Sequence, residues 1–257
     1  MIFYTLKEQH LTEVKEKLRL WRSKPILNEI YKSFYTLIAE NLNRDLGGLI
    51  AEIGSGIGSL KSLLPTCICT DIFENPWIDQ VENAYRLSFS DSSVSNLILF
   101  DVFHHIEFPG TMLEEFYRVL MPRGRVIIFD PAISMLGFIV YGLFHHEPIN
   151  VRREIKWFVP KHFSPEVASY YAAQGNATRI FFSYKYRKFL SSNWNLIVSR
   201  RMSAISYVAS GGYSKPKLYP DLFLPVMKVI DKWCDAFPSL FATRMLVVLE
   251  KKERSET

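Results

Sequence analysis

What the chain has little of narrows its class first. Three cysteines in 257 residues, Cys67, Cys69 and Cys234, are too few for a disulfide-stapled scaffold, and the number is odd. Cys67 and Cys69 share one strand-like run, where the constrained backbone gives no ordinary disulfide geometry. No Cys-x-x-Cys or His-x-x-x-His spacing occurs, so no metal site is expected. Long apolar runs are missing too: residues 132–144 form the longest, which is short of a bilayer span. There is no internal repeat and no low-complexity tract. The first ten residues are already polar and charged, unlike a secretory leader. With the sparse cysteines, this predicts a reducing, cytoplasmic setting.

What is present is a globular composition, 48% hydrophobic and 22% charged, over a length that suits one large domain with a buried core. The net charge of +5 is unevenly spread. Residues 1–48 carry 8 basic and 6 acidic side chains, residues 49–132 carry 5 and 11, and residues 133–257 carry 18 and 9. The basic last half would favour phosphorylated, acidic or membrane-surface partners, or is simply a solvated face.

Residues 49–60, Leu-Ile-Ala-Glu-Ile-Gly-Ser-Gly-Ile-Gly-Ser-Leu, organise the rest. An apolar run ends near an acid, alternate glycines follow, and a helical pattern begins. This predicts a buried strand, a glycine turn and a helix start, an arrangement that turns backbone N–H groups toward a ligand. Adenosine-carrying cofactors of two kinds use such a turn. The dinucleotide fingerprint G-x-G-x-x-G would need its third glycine at Ser59. The glycines here are Gly54, Gly56 and Gly58, spaced G-x-G-x-G and preceded by Glu52.

Ahead of the turn, residues 5–24 read as an amphipathic helix, and Pro25 opens a second with Ile26, Ile30, Phe34, Ile38 and Leu42 on one stripe. These would form a lid or substrate wall, in which Trp21, Tyr31 and Tyr35 either meet substrate or simply pack. After the turn come a short helix over 59–64 and a strand over 67–72 ending at Asp71. A third strand is expected at Tyr85–Leu87, then a turn or brief helix over 88–95, and a central strand over 96–103. A helix over 110–121, a turn at 122–124 and a fifth strand over 125–130 follow. Strands alternating with helices at this spacing mean a parallel sheet with right-handed crossovers. Beyond Pro131 the pattern loosens. It predicts an apolar helix over 132–144, a long connection over 145–180 and a helix over Phe181–Leu190. A sixth strand is expected near Leu196–Val198, then a helix over Pro220–Phe237 interrupted by Pro225, and a last strand at Met245–Leu249.

Several of these pieces, in order over residues 49–131, resemble the class I S-adenosylmethionine (SAM) methyltransferases, of the type 11 kind. The G-x-G-x-G turn resembles their first motif. Asp71 stands where the family's acid takes both ribose hydroxyls, a task that suits an acceptor-only carboxylate. Asn83-Ala-Tyr-Arg-Leu-Ser-Phe-Ser-Asp91 resembles the "Asp-Ala … Leu-Pro-Phe … Asp" segment that meets adenine, with Asn83 in place of the acid. Leu99-Phe-Asp-Val-Phe-His-His-Ile106 resembles the fourth motif, and Arg118-Val-Leu-Met-Pro-Arg-Gly124 the entry to strand five. The resemblance implies a three-layer α/β/α Rossmann-like methyltransferase fold, with a mostly parallel seven-stranded sheet and an antiparallel last strand. It implies SAM as cofactor, held by Glu52, Gly54, Ser55, Gly56, Gly58, Asp71, Ile72, Asn83, Ala84, Asp101 and Val102. The division expected within one domain is lid helices over 1–48, a SAM core over 49–131, a substrate-shaping insertion with the sixth strand over 132–242, and the last strand and tail over 243–257.

His104 and His105 stand just past strand four, at the lip where ligands bind in such sheets, and either suits a general base. One could instead cap the next element and the other line the pocket. His145, in a second pair at the rim, is a candidate substrate contact beside Trp21, Tyr31 and Tyr35. The fourth motif lacks the Asn/Asp-Pro-Pro-aromatic signature of enzymes that methylate base amino groups, and no RNA-binding module is recognisable. The aromatic and basic stretch Arg179–Arg187 could stack on bases, although helical packing is the simpler reading. The expectation is therefore an O- or N-methyltransferase of a small-molecule, glycan or lipid-linked acceptor in a biosynthetic pathway. RNA methylation, or SAM binding without turnover, are the alternatives. The apolar helix over 132–144 and the basic run Arg152–Lys156 suggest peripheral membrane contact, unless that helix is core.

Overall fold

The computed structural model describes residues 6–143, 149–161 and 171–253. In chain order the helices are α1 (Leu6–Ser23), α2 (Pro25–Glu40), α3 (Pro109–Val119), α4 (Met135–Leu143), α5 (Asn176–Phe182), α6 (Tyr184–Ser191), α7 (Ile205–Ala209), α8 (Leu224–Cys234) and α9 (Pro238–Phe241). The strands are β1 (Leu49–Ile53), β2 (Ile68–Asp71), β3 (Gln80–Val81), β4 (Val94–Phe100), β5 (Leu120–Pro131), β6 (Trp194–Ser203) and β7 (Ala242–Lys251). They form one sheet in the order β3-β2-β1-β4-β5-β7-β6. All pairings among β1 to β5 are parallel, and β7 runs antiparallel to both β5 and β6. This is the expected sheet with its antiparallel last strand.

The alternation of side chains along a strand explains the layers. Leu97 and Leu99 of β4 join one apolar cluster with Met112, Leu113 and Phe116 of α3 and Ile180 and Phe181 of α5. Ile98 and Phe100 face the opposite way, into a cluster with Tyr31, Tyr35 and Ile38 of α2. Every residue of β4 is buried, as a central strand covered on both faces requires. Among the described residues no helix is long and apolar enough to cross a membrane.

Several elements differ from the sequence expectation. The third strand is not Tyr85–Leu87 but the two residues Gln80–Val81. Residues 85–91 instead form a turn segment tied to α3 by Arg118, whose guanidinium donates to the Leu87 and Phe89 carbonyls at 3.0 Å each. For the segment 88–95 the turn alternative holds, at Asp91–Ser92, with β4 beginning at Val94. β5 starts at Leu120 rather than Arg125, because the 122–124 turn is absorbed as a register shift in its pairing with β4. The short helix after the glycine turn is a 3-10 turn over Ser59–Ser62. The apolar helix is trimmed to Met135–Leu143, and the helix over 181–190 is two helices divided at Ser183, whose backbone is extended. Pro225 does not interrupt a helix. It sits in the first turn of α8, where its missing N–H costs nothing.

Of the long connection, residues 149–161 cross the start of α3, where Gly110 N–H donates to the Trp157 carbonyl at 2.8 Å. A side chain at position 110 would collide with the Trp157 ring. Residues 171–175 pass over the end of β4, and Ala173 N–H donates to the His104 carbonyl at 2.9 Å.

Candidate functional site

The C-terminal ends of β1, β2 and β4 open into a cavity of about 1080 Å³. Strand order reverses here, with β1 starting one half of the sheet and β4 the other, so the crossover connections diverge and leave a crevice. A single ligand site typically spans roughly 300–1,000 Å³. This cavity lies just above that range.

At one end lies the glycine turn. Gly54 has φ +74°, and a Cβ there would sit 2.5 Å from the Val102 side chain, so this position admits no other residue without strain. At Gly56 (φ +55°) a Cβ would point into open space, but its backbone N–H donates to Asp71 Oδ2 at 3.0 Å. The other carboxylate oxygen of Asp71 accepts from Ile72 N–H at 2.7 Å and lies 3.2 Å from His10 Nε2 of α1. Ser55 braces the turn: its N–H donates to the Thr70 carbonyl at 2.7 Å and its hydroxyl accepts from Thr70 N–H at 3.0 Å. Glu52 is 4% exposed, and burial pushes its carboxyl well above the usual range, with Cys69 Sγ 3.7 Å from one oxygen. Asn83 uses its side-chain oxygen to accept from Tyr85 N–H at 2.9 Å, closing a local turn beside Ala84.

At the other end two acid–base pairs stand next to each other. His104 Nδ1 is 3.0 Å from Asp130 Oδ1, and both side chains are buried. Burial pushes the Asp130 carboxyl up, and the imidazole beside it pulls it back down. Asp101, at φ +55°, pairs with Arg244 of β7. Burial works against the Arg244 charge, but Asp101 together with the Tyr141, Tyr207 and Tyr31 phenols outweighs it and keeps the guanidinium above its usual range. Arg244 lies over the Tyr207 ring at 4.6 Å. Tyr31 packs edge-on against Tyr207 and Tyr213, and burial raises all three phenols. His105 Nδ1 is 2.9 Å from the Tyr171 carbonyl, and the two histidine rings are 4.1 Å apart.

All the residues singled out from the sequence line this cavity except three. Gly58 packs away from it, against the Trp77 backbone. Trp21 packs edge-on against Tyr31 from behind. His145 lies outside the described residues. Sequence reasoning missed His10, Asp130, Tyr207 and Arg244. Asp130 had a readable signal: like Glu52, Asp71 and Asp101 it is an acid at the C-terminal end of a strand. Arg244 had none, because only the antiparallel course of β7 brings the strand's first turn to this edge. Among the described residues no group of three or more His, Cys, Asp or Glu side chains could hold a metal ion.

Residues 51–128 match the family model described as a methyltransferase domain. No curated protein matches the chain. Among solved structures, a SAM dependent methyltransferase from Archaeoglobus fulgidus is 14% identical, with a TM-score of 0.52 over 88% of this chain and 94% of that one. A chain from the complex of the Haloferax volcanii Trm112 methyltransferase activator is 12% identical, with a TM-score of 0.54 over 97% of this chain and 100% of that one. At such identities the likeness is one of fold.

Proposed function

We propose that this chain is a class I, SAM-dependent methyltransferase, a reading that the methyltransferase-domain match over residues 51–128 supports, and that it transfers the methyl group to an O or N atom of a small-molecule, glycan or lipid-linked acceptor in a biosynthetic pathway. SAM, when bound, supplies a methyl group already activated on a sulfonium centre. The site suits it. A buried Glu52 carboxyl with a raised pKa is a group that a ligand's positive charge would relieve. Asp71 is held at the cavity with both oxygens fixed by backbone N–H groups, ready to accept from a diol. In this reading Gly54 and Gly56 let the backbone approach the ligand, and Asn83, Ala84 and Val102 flank its ring.

The His104–Asp130 pair carries the proposal. A carboxylate that accepts from Nδ1–H fixes the tautomer and leaves Nε2 as the basic nitrogen. His104 would then take the proton from an acceptor hydroxyl or amine as the new bond forms, and Asp130 would stabilise the imidazolium. His105, tied to the Tyr171 carbonyl, lines the acceptor space. The rings of Tyr31, Tyr35 and Tyr207 give that space flat, partly polar walls, which suits a ring-bearing acceptor. Residues 49–131 would hold the donor, while residues 1–48 and 132–242 exclude water and shape the acceptor. An RNA acceptor is less well served: Phe181 and Tyr186 of the aromatic and basic stretch are buried in packing.

The test uses labelled SAM with cell extract divided into RNA, lipid and small-molecule fractions. Label in the lipid or small-molecule fraction supports this reading, and label confined to RNA overturns it. With the acceptor in hand, His104→Gln should lower kcat by roughly 10²–10⁴ with SAM affinity unchanged. Full turnover by that variant would remove the base assignment.

A further inference from the structure

The outer face of the C-terminal half carries an apolar stripe that nothing among the described residues covers. It runs from the 3-10 turn over Asp221–Phe223 through α8 to the start of α9. Leu222, Val226, Val229, Trp233 and Phe237 recur at spacings of four, three, four and four, one side of a helix, and each is between 53% and 85% exposed. α9 packs against α4, so the stripe continues through Leu240 onto Phe138, Ile139 and Leu143, which are 40% to 74% exposed. An apolar surface this continuous marks an interaction site.

We propose that this face docks on an anionic lipid bilayer. Its charge argues for that occupant. The acids beside the stripe are engaged: Asp221 with Lys217 at 2.7 Å, Asp235 with Arg200 at 2.9 Å, and Asp231 with the Ser206 hydroxyl and backbone. α4 carries no charge at all. Lys232 is exposed on α8, Arg201 reaches Ser239 on α9, and the charges on and beside α8 and α9 are basic on balance, Lys217, Lys228, Lys232, Arg200 and Arg201 against Asp221, Asp231 and Asp235. An apolar helix face with exposed aromatics (Trp233, Phe237 and Phe138) and a surplus of lysine and arginine is the composition that lies in a headgroup layer. Position supports it as well. Val140 and Tyr141 of α4, and Leu218 just before the 3-10 turn, line the cavity, so the face reaches the rim of the acceptor space. That the bilayer also delivers the acceptor rests on the proposed function. The docking itself does not.

The experiment is co-sedimentation of the full chain with vesicles of phosphatidylglycerol and phosphatidylcholine, with phosphatidylcholine alone, and at low and high salt. The expected result is binding to the anionic vesicles that weakens with salt and is much reduced on phosphatidylcholine. The triple change Val226→Ser, Val229→Ser and Trp233→Ser should cut the partition coefficient at least about tenfold, since three exposed apolar side chains lose their burial in the membrane. Calorimetric SAM binding by the same variant, unchanged from wild type, shows that it folds and keeps this readout apart from the transferase reading. Wild type that ignores anionic vesicles, or a variant that binds them equally well, overturns the docking. A concentration-dependent dimer dispersed by the triple change, with no vesicle binding, assigns the face to a second copy instead.

Discussion

Asp71 and Glu52 sit about one strand apart at the donor end of the cavity, and their opposite situations make opposite predictions. Asp71 accepts from two backbone N–H groups and is the proposed ribose ligand. Asp71→Ala removes charge-assisted bonds of about 1.5–3 kcal/mol each. Calorimetry should then show SAM affinity lowered by at least about tenfold. Glu52 has its pKa raised by burial, so its neutral form is the one the fold prefers. The sign follows from linkage: the contribution is fully present below the unfolded pKa and is lost as pH rises through the folded one. Glu52→Gln removes that pH-dependent loss. The unliganded variant should therefore be as stable as wild type or more so at neutral pH in thermal melts, while binding SAM more weakly. If its melting temperature falls at neutral pH by as much as its affinity does, Glu52 is a structural acid and not a ligand-charge partner.

At the level of elements, α1 and α2 are both expected helices, yet they are held very differently. α2 buries seven side chains, among them Leu27, Ile30 and Ile38, and is part of the core. α1 buries Val14 alone and meets the cavity through His10, whose Nε2 faces the Asp71 carboxylate. Helix stability in proteins comes mainly from such packing. Amide hydrogen exchange should show α1 opening well before α2, and the demethylated product of SAM should slow exchange in α1 specifically. Equal protection in both helices would remove the lid role. The sequence periodicity revealed both helices but not this difference, since a 3.6-residue stripe reports that one face is apolar and not what lies opposite it. The same limit explains the misplaced third strand. Tyr85–Leu87 alternates like a strand, but Arg118 holds the Leu87 carbonyl, and the sheet edge is taken by Gln80 and Val81.

Across the whole molecule, two apolar layers share one sheet, and the layer on the α2 side holds an aromatic stack across two neighbouring strands. Phe129 of β5 is fully buried and stacks on Phe100 of β4 at 5.2 Å. Phe129→Ala should cost about 3–5 kcal/mol in urea unfolding, in the range of large-to-small changes that leave a cavity. A loss under about 1 kcal/mol would mean that this layer repacks to fill the space the ring leaves. The parallel core was legible because β1, β2, β4 and the second half of β5 are short apolar runs ending in an acid, each followed by a turn. Arg244 and Tyr207, which finish the acceptor end, come from segments whose place depends on tertiary pairing alone, and no local pattern marks them.

The antiparallel course of β7 also sets an order of assembly. Among the described strands β6 pairs with β7 alone, and Asp101 finds its counter-charge on β7. A chain emerging from its N-terminus can form the donor half of the cavity from residues 49–131 while the acceptor half still lacks both a wall and a cation. A nascent or truncated chain would thus hold the methyl donor before it could hold anything to receive it. On the proposed function, transfer would need residues 242–251 to have been inserted between β5 and β6.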